Sequence, residues 1–281
     1  MKISKPLHYI NHQYNGEMFP EAIMSGEGLN ISFPIKQDPV EKIPFLNTLW
    51  NDNNFNNIHL PMQLGSLNSA AQWYFSYPND LRILDMPIKL PGSNQYKIPK
   101  EISQFLSIIS KAACYEHSMN ESINDYFCYI TVDQKLIPKG NHTRKGGLHV
   151  DGFQGARIPE PLMIDHSYII YDKFPTIFYN QEFEVLPSWN KTCHNYFRGF
   201  QEQAKEKNQV TYSPYEILLI NAYCLHEAPK AQAEEYRTFF RMSYTVREFD
   251  RLGNAHNPMF DYKWNMLPRN IQHNLICPTE S

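Results

Sequence analysis

The sequence predicts an α+β chain in which an α-rich N-terminal part packs around a β core of sandwich or barrel type. Ile102, Phe105, Leu106, Ile109 and Ala113 recur at helical spacing behind Pro99, and that spacing gathers them on one face of a helix. From Tyr126 onward the pattern changes to short runs of β-branched and aromatic residues separated by turn formers, which is how the strands of a two-sheeted core read.

In chain order, the first hundred residues are punctuated by Pro20, Pro34, Pro39, Pro44, Pro61, Pro78, Pro87 and Pro91, so loops and short elements are expected there. Pro99 suits the first turn of the helix that follows. Strands are expected over Tyr126 to Val132, Ser167 to Tyr171, Phe174 to Tyr179, Glu216 to Tyr223 and Arg237 to Val246. A helical insertion interrupts them over Thr192 to Lys205, where Tyr196, Phe197 and Phe200 share an apolar face. The turn formers of Val246 to Tyr262 predict an ordered loop that covers the site, with His256 and Asp261 in structural roles. No repeat or linker divides the chain. A single domain results: support over 1–120, a β core over about 126–247 and a loop cover over 248–281.

Composition narrows the function. A chain of 281 residues with 42% hydrophobic content buries a sizeable core. Net charge is -3, pI is about 6.4 and no Lys or Arg run occurs, so the electrostatic footprint of a nucleic-acid binder is missing. Five cysteines without a CxxC pair argue against both a disulfide framework and a structural zinc site. No window approaches the ~20 apolar residues of a membrane span, and no secretory segment is visible, so the cytoplasm is the expected location. The aromatic richness suits a small molecule or a peptide side chain as substrate.

The chemistry concentrates in HTRKGGLHVDGF, His142 to Phe153. His149 and Asp151 are two apart, which on a strand points both side chains to one face. With 11 His and 29 acidic residues in 281, about one such pair arises by chance, so a third ligand has to carry the argument. Within EILLINAYCLHEAP, Glu216 to Pro229, an apolar strand is expected to deliver His226 at its end, and two imidazoles with one carboxylate form the facial triad that leaves iron(II) with open positions. Arg237 and Arg241 follow in RTFFRMSY and share a strand face with Ser243. An arginine on the inner face of an apolar strand is costly unless an anion meets it.

HxD, a His some 75 residues later and Arg-x-Ser on the following strand together resemble the Fe(II)/2-oxoglutarate-dependent dioxygenase superfamily, over roughly residues 126–247. The resemblance implies a double-stranded β-helix of jelly-roll, cupin-like form with flanking N-terminal helices. It implies Fe(II) held by His149, Asp151 and His226, 2-oxoglutarate as co-substrate, O2, and hydroxylation of a small molecule or an amino-acid or peptide side chain with release of succinate and CO2. Two family patterns compete for the co-substrate arginine: Arg241 with Ser243 is preferred because the hydroxyl adds a second donor, and Arg237 is the alternative. Arg144, Phe153 and Gln154 flank the metal motif as substrate-binding candidates. Thr131, Lys135, Tyr168, Thr176 and Tyr179 are further candidates for the cavity wall. Asp151 stands where halogenating relatives carry a small residue, so hydroxylation is the implied outcome. A cupin-type metalloenzyme independent of 2-oxoglutarate and a noncatalytic barrel binding module are the other readings.

Overall fold

The structure is a computed structural model that describes residues 21–24, 27–32, 43–144, 146–152, 162–189 and 193–268. In chain order the elements are β1 (Glu21–Met24), β2 (Gly28–Ser32), β3 (Met62–Ser66), α1 (Ser69–Phe75), β4 (Arg82–Lys89), β5 (Gln95–Pro99), α2 (Leu106–Met119), β6 (Phe127–Ile137), β7 (His166–Tyr171), β8 (Ile177–Tyr179), α3 (Cys193–Gln203), β9 (Gln209–Val210), β10 (Glu216–Asn221), β11 (His226–Glu227) and β12 (Glu235–Thr245). Their pairings are antiparallel. A six-stranded sheet runs β3-β10-β7-β12-β6-β4, a small sheet runs β11-β8-β9, and β1-β2-β5 form a third.

β12 sits at the centre of the large sheet, paired along its length with β6 and on its other edge with β7. Strand alternation divides its side chains between two environments. Phe240, Met242 and Tyr244 pack into the main core with Ile108, Ile109 and Ala112 of α2. Phe239 points the other way, into a cluster with Ile169, Tyr171, Phe178, Leu218 and Ile220. Arg237, Phe239, Arg241 and Ser243 share that second face.

A buried ionic cluster fastens α2 to the sheet. The Glu116 carboxylate accepts from Tyr168 Oη at 2.7 Å and Asn120 Nδ2 at 2.6 Å, and meets His166 Nε2 at 2.9 Å. His166 in turn stacks on Tyr244 at a centroid distance of 5.6 Å. Burial alone would raise the Glu116 carboxyl; the charge and hydrogen bond of His166, with Asn120 and Tyr168, turn the net shift downward.

The N-terminal part departs from its α-rich expectation. Its described residues carry β1 to β5 with only α1 and α2, and β3 and β4 close the two edges of the large sheet. The prolines read as loop punctuation are compatible with this. Pro87 lies on edge strand β4 beside a register shift, where a missing N–H costs no ladder bond. Ile102 and Phe105 are buried as their periodicity requires, but in a 3-10 turn over Lys100–Phe105 that precedes α2. The expected strand from Phe174 starts later, at Ile177, because Phe174 adopts a positive φ of 50°.

The C-terminal loop is ordered by specific contacts. Phe249 stacks on Tyr129 at 4.3 Å, and the buried Asn257 donates to the carbonyls of Pro87 and Lys97 at 2.8 and 2.9 Å. It therefore straps β4 and β5, with the His256 ring tilted against Tyr262 at a centroid distance of 4.6 Å. Among the described residues no helix is long and apolar enough to cross a membrane.

Glu116→Ala strands His166, Tyr168 and Asn120 in an apolar environment and is expected to cost about 3–5 kcal/mol, with Glu116→Gln milder because an amide still pairs. Urea denaturation of the two variants measures both.

Candidate metal centre

His149 and His226 lie directly opposite each other across an antiparallel bridge and exchange both backbone hydrogen bonds, each at 2.9 Å. The His149 segment thus adds to the edge of the small sheet at β11. Because the two residues form one hydrogen-bonded pair, their side chains emerge on the same face, and the imidazole centroids are 4.5 Å apart. Asp151, two residues on, joins them. One ligand atom from each of His149, Asp151 and His226 lies within 4.8 Å of the others.

The orientation of each group is constrained by a second contact. His149 Nδ1 meets the Gly147 carbonyl and His226 Nδ1 the Cys224 carbonyl, both at 2.8 Å. A carbonyl can only accept, so each Nδ1 carries the proton and each Nε2 keeps its lone pair for a metal. Gly147 reaches this geometry at a φ of 96°, a conformation that glycine adopts freely. Burial, and next to it His226, pushes the His149 imidazole down to about 4. His149 is therefore neutral near pH 7, the state that ligates. Asp151 Oδ1 accepts from Arg241 Nη1 at 2.7 Å, while Oδ2 lies 4.0 Å from His226 Nε2. Burial would raise the Asp151 carboxyl, but Arg241, then His226 and His149, hold it well below the usual carboxylate range.

These residues border a cavity of about 110 Å³ whose walls include Arg144, Ile169, Thr176, Arg237, Phe239 and Arg241. The two inner-face arginines of β12 are compensated differently. Arg241 binds two carboxylates, Asp151 and, through Nη2 at 2.9 Å, Asp85. Arg237 is 2% exposed and, among the described residues, donates to the carbonyls of Lys173 and Phe174, at 2.9 and 3.3 Å. It makes no ion pair among the described residues. Burial, with Arg144 next, pushes its guanidinium down to about 10, the direction expected of a cation lacking a close anion. Arg144 lies over the Phe239 ring at 4.3 Å, and its nearest carboxylate, Asp133 at 4.0 Å, is already held by Arg82 and Lys135.

The pairing of Arg241 with Ser243 as a carboxylate clamp does not match this arrangement. Ser243 Oγ lies 2.8 Å from Oγ of its cross-strand partner Ser167, and both Arg241 Nη atoms meet aspartates. Of the other wall candidates, Thr176 lines the cavity and Thr131 bonds Asp85. Lys135 pairs with Asp133, Tyr168 faces Glu116 on the opposite side of the sheet, and Tyr179 bonds Glu227. Phe153 and Gln154 lie outside the described residues.

Three supporting residues escaped the sequence reading. Asp85 reaches Arg241 from edge strand β4, and Arg247 bridges Asp165 and the Gly152 carbonyl, steadying the turn after Asp151. Each contact spans more than eighty residues of sequence, so no local pattern marks it.

No family model matches the chain, and no curated protein sequence matches it. Among solved structures it is similar to EvdO2 from Micromonospora carbonacea var. aurantiaca complexed with 2-oxoglutarate, at 12% identity over 71% of this chain and 93% of that one with a TM-score of 0.41. It is also similar to HygX from Streptomyces hygroscopicus with nickel and 2-oxoglutarate bound, at 11% identity over 68% and 83% of the two chains with a TM-score of 0.38. A third is an oxidoreductase of the 2OG-Fe(II) oxygenase family from Burkholderia pseudomallei, at 11% identity over 64% and 77% with a TM-score of 0.34.

Arg241→Ala leaves Asp85 and Asp151 facing each other without their cation, and is expected to cost about 3–5 kcal/mol of stability at pH 7. Asp151 normally has a depressed folded pKa, so its contribution is present above the unfolded value of ~3.9 and lost only in stronger acid. In the variant the sign reverses: protonation relieves the repulsion and the deficit shrinks as pH falls. Urea melts in EDTA at pH 7 and pH 5 measure the difference.

Proposed function

We propose that this protein is a non-haem Fe(II) oxygenase that uses 2-oxoglutarate as co-substrate. The observation that carries the reading is the convergence of His149 Nε2, Asp151 Oδ2 and His226 Nε2, each oriented by its other ring nitrogen or oxygen, beside a buried arginine that makes no ion pair among the described residues. Two imidazoles and one carboxylate on one face fit iron(II) and leave open positions for co-substrate and dioxygen. The large sheet and the small sheet, extended by the His149 segment, are read as the two walls of a double-stranded β-helix, with the metal residues on one wall and the inner row of β12 on the other.

Iron(II) held there supplies the activation of dioxygen coupled to oxidative decarboxylation of 2-oxoglutarate to succinate and CO2. The protein's own part is positioning and exclusion of water. Arg237 receives the distal carboxylate: it is already oriented by two backbone carbonyls, and an anion there compensates its burial. Thr176, at 5% exposure just before β8 and lining the same cavity, offers a hydroxyl donor to that carboxylate. Ile169 and Phe239 keep the neighbourhood dry, which strengthens the ion pair. Arg241 has a different task, because both of its Nη atoms are already engaged by Asp151 and Asp85. A cavity of about 110 Å³ is smaller than the ~300–1,000 Å³ of pockets for drug-sized ligands. It suits the co-substrate, with the hydroxylated substrate, a small molecule or an amino-acid or peptide side chain, approaching from the mouth beside Arg144.

Succinate formation by the anaerobically iron-loaded protein on admission of air tests this. Wild type is expected to turn over and His149→Ala to be inactive. Arg237→Ala is expected to raise the KM for 2-oxoglutarate by at least about 30-fold, the loss of about 2 kcal/mol from an abandoned buried charge pair. Iron binding with neither binding nor turnover of 2-oxoglutarate would overturn the co-substrate assignment in favour of a cupin-type metalloenzyme.

A further inference from the structure

We propose that Asp85 is a positioning residue for the metal carboxylate: through Arg241 it holds Asp151 so that Oδ1 is engaged and Oδ2 alone is presented to the ion. This rests on the metal-centre reading given above.

Asp85 stands at an irregularity in β4, where the pairing register with β6 shifts between Ile83 and Met86. Its φ is 45°, a left-handed conformation that costs an L residue roughly 1–2 kcal/mol and is most accessible to Asn and Asp. Such strain persists where the surroundings over-determine it, and here they do. The Asp85 amide donates to Thr131 Oγ1 at 3.1 Å, and the same hydroxyl donates back to Asp85 Oδ1 at 2.9 Å. Thr131 is the direct cross-strand partner of Arg241, so the β6–β12 register delivers the lock to the arginine it serves. Arg241 Nη2 then meets Asp85 Oδ1 at 2.9 Å and Nη1 meets Asp151 Oδ1 at 2.7 Å.

Two consequences follow from this chain of contacts. A long arginine side chain bonded only to Asp151 would retain rotamer freedom; bonded at both Nη atoms it is immobile, and the oxygen it occupies is the same one every time. Charge is the second consequence. Arg241 alone would neutralise Asp151 and weaken its hold on a dication. Asp85 restores one negative charge, so the trio carries a net charge of -1 toward the ion.

Nickel(II) titration by calorimetry and the visible spectrum of the cobalt(II) form test the proposal on the full chain without recourse to turnover. Asp85→Ala is expected to raise the nickel(II) Kd about 10–100-fold, the usual penalty for losing a partner of a metal ligand, and to alter the cobalt(II) absorption as Asp151 gains freedom to bind through both oxygens. Asp85→Asn keeps an acceptor for Arg241 and tolerates the positive φ, so it carries the test if the alanine variant fails to fold; a smaller rise in Kd with the wild-type cobalt spectrum is expected from loss of charge alone. A residue that merely stabilised β4 would lower the unfolding midpoint and leave both metal readouts unchanged in the folded protein. Wild-type Kd and wild-type cobalt spectrum in both variants would overturn the role of Asp85 while leaving the metal centre standing. Failure of the wild type itself to bind either ion would instead remove the metal centre and this role together.

Discussion

A strand buried on both faces cannot carry two guanidiniums on one of them without compensation, and β12 is such a strand. Its even-numbered residues form the main core with α2, so it cannot rotate or slip by one position without driving Phe240, Met242 and Tyr244 out of that core. The register that buries those three also places Arg237 and Arg241 in the cavity. The sheet therefore has to supply anions or carbonyls opposite them, and the positions of Asp85, Asp151, Lys173 and Phe174 are its answers.

The opposite wall is held by backbone pairing. His149 and His226 come from segments far apart in sequence, yet their amides bond each other's carbonyls directly, which makes the separation of the imidazoles a property of the sheet. Each ring is then turned by the carbonyl two residues before it. That short-range device needs only the strand-end geometry of His226 and the glycine-rich approach to His149. The two walls meet at Asp151, which continues the His149 segment and is bonded to Arg241 of β12.

What the sequence disclosed and what it concealed follow this division. His149, Asp151 and His226 were legible because each belongs to a local pattern: a two-residue spacing, and an apolar run followed by a single His, although the apolar strand β10 stops at Asn221 and His226 opens β11 of the small sheet. The shared face of Arg237 and Arg241 was legible from strand parity. Which arginine was already neutralised was not, because the answer depends on Asp85, 156 residues from Arg241, on a strand whose proline and irregular register disguise it as loop. The N-terminal strands were missed for the same reason: β3 and β4 are edge strands that borrow their order from β10 and β6, and nothing in their own composition announces them. The buried face of the helical segment was read correctly, but its first turns are 3-10 since Phe105 and Ile102 pack where the chain leaves β5.

The different treatment of the two arginines explains why a cavity needs both. Arg241 faces two carboxylates, so it is a fixed structural cation that sets the geometry of a ligand and leaves a residual negative charge for a metal. Arg237 faces two carbonyls, with no hydrogen bond to Nη1 among the described residues; carbonyl dipoles orient a guanidinium but do not cancel its charge. A cation held this way is prepared for an anion that arrives later. The cavity thus combines a site of net negative charge, suited to a dication, with a positive site four residues away on the same face of the same strand. A dicarboxylate that chelates the metal at one end and reaches Arg237 at the other satisfies both at once, whereas a monocarboxylate or a neutral chelator leaves the buried arginine uncompensated. On the proposed function, discrimination among co-substrates would come from the penalty of leaving Arg237 unpaired, which the apolar walls contributed by Ile169 and Phe239 would enlarge.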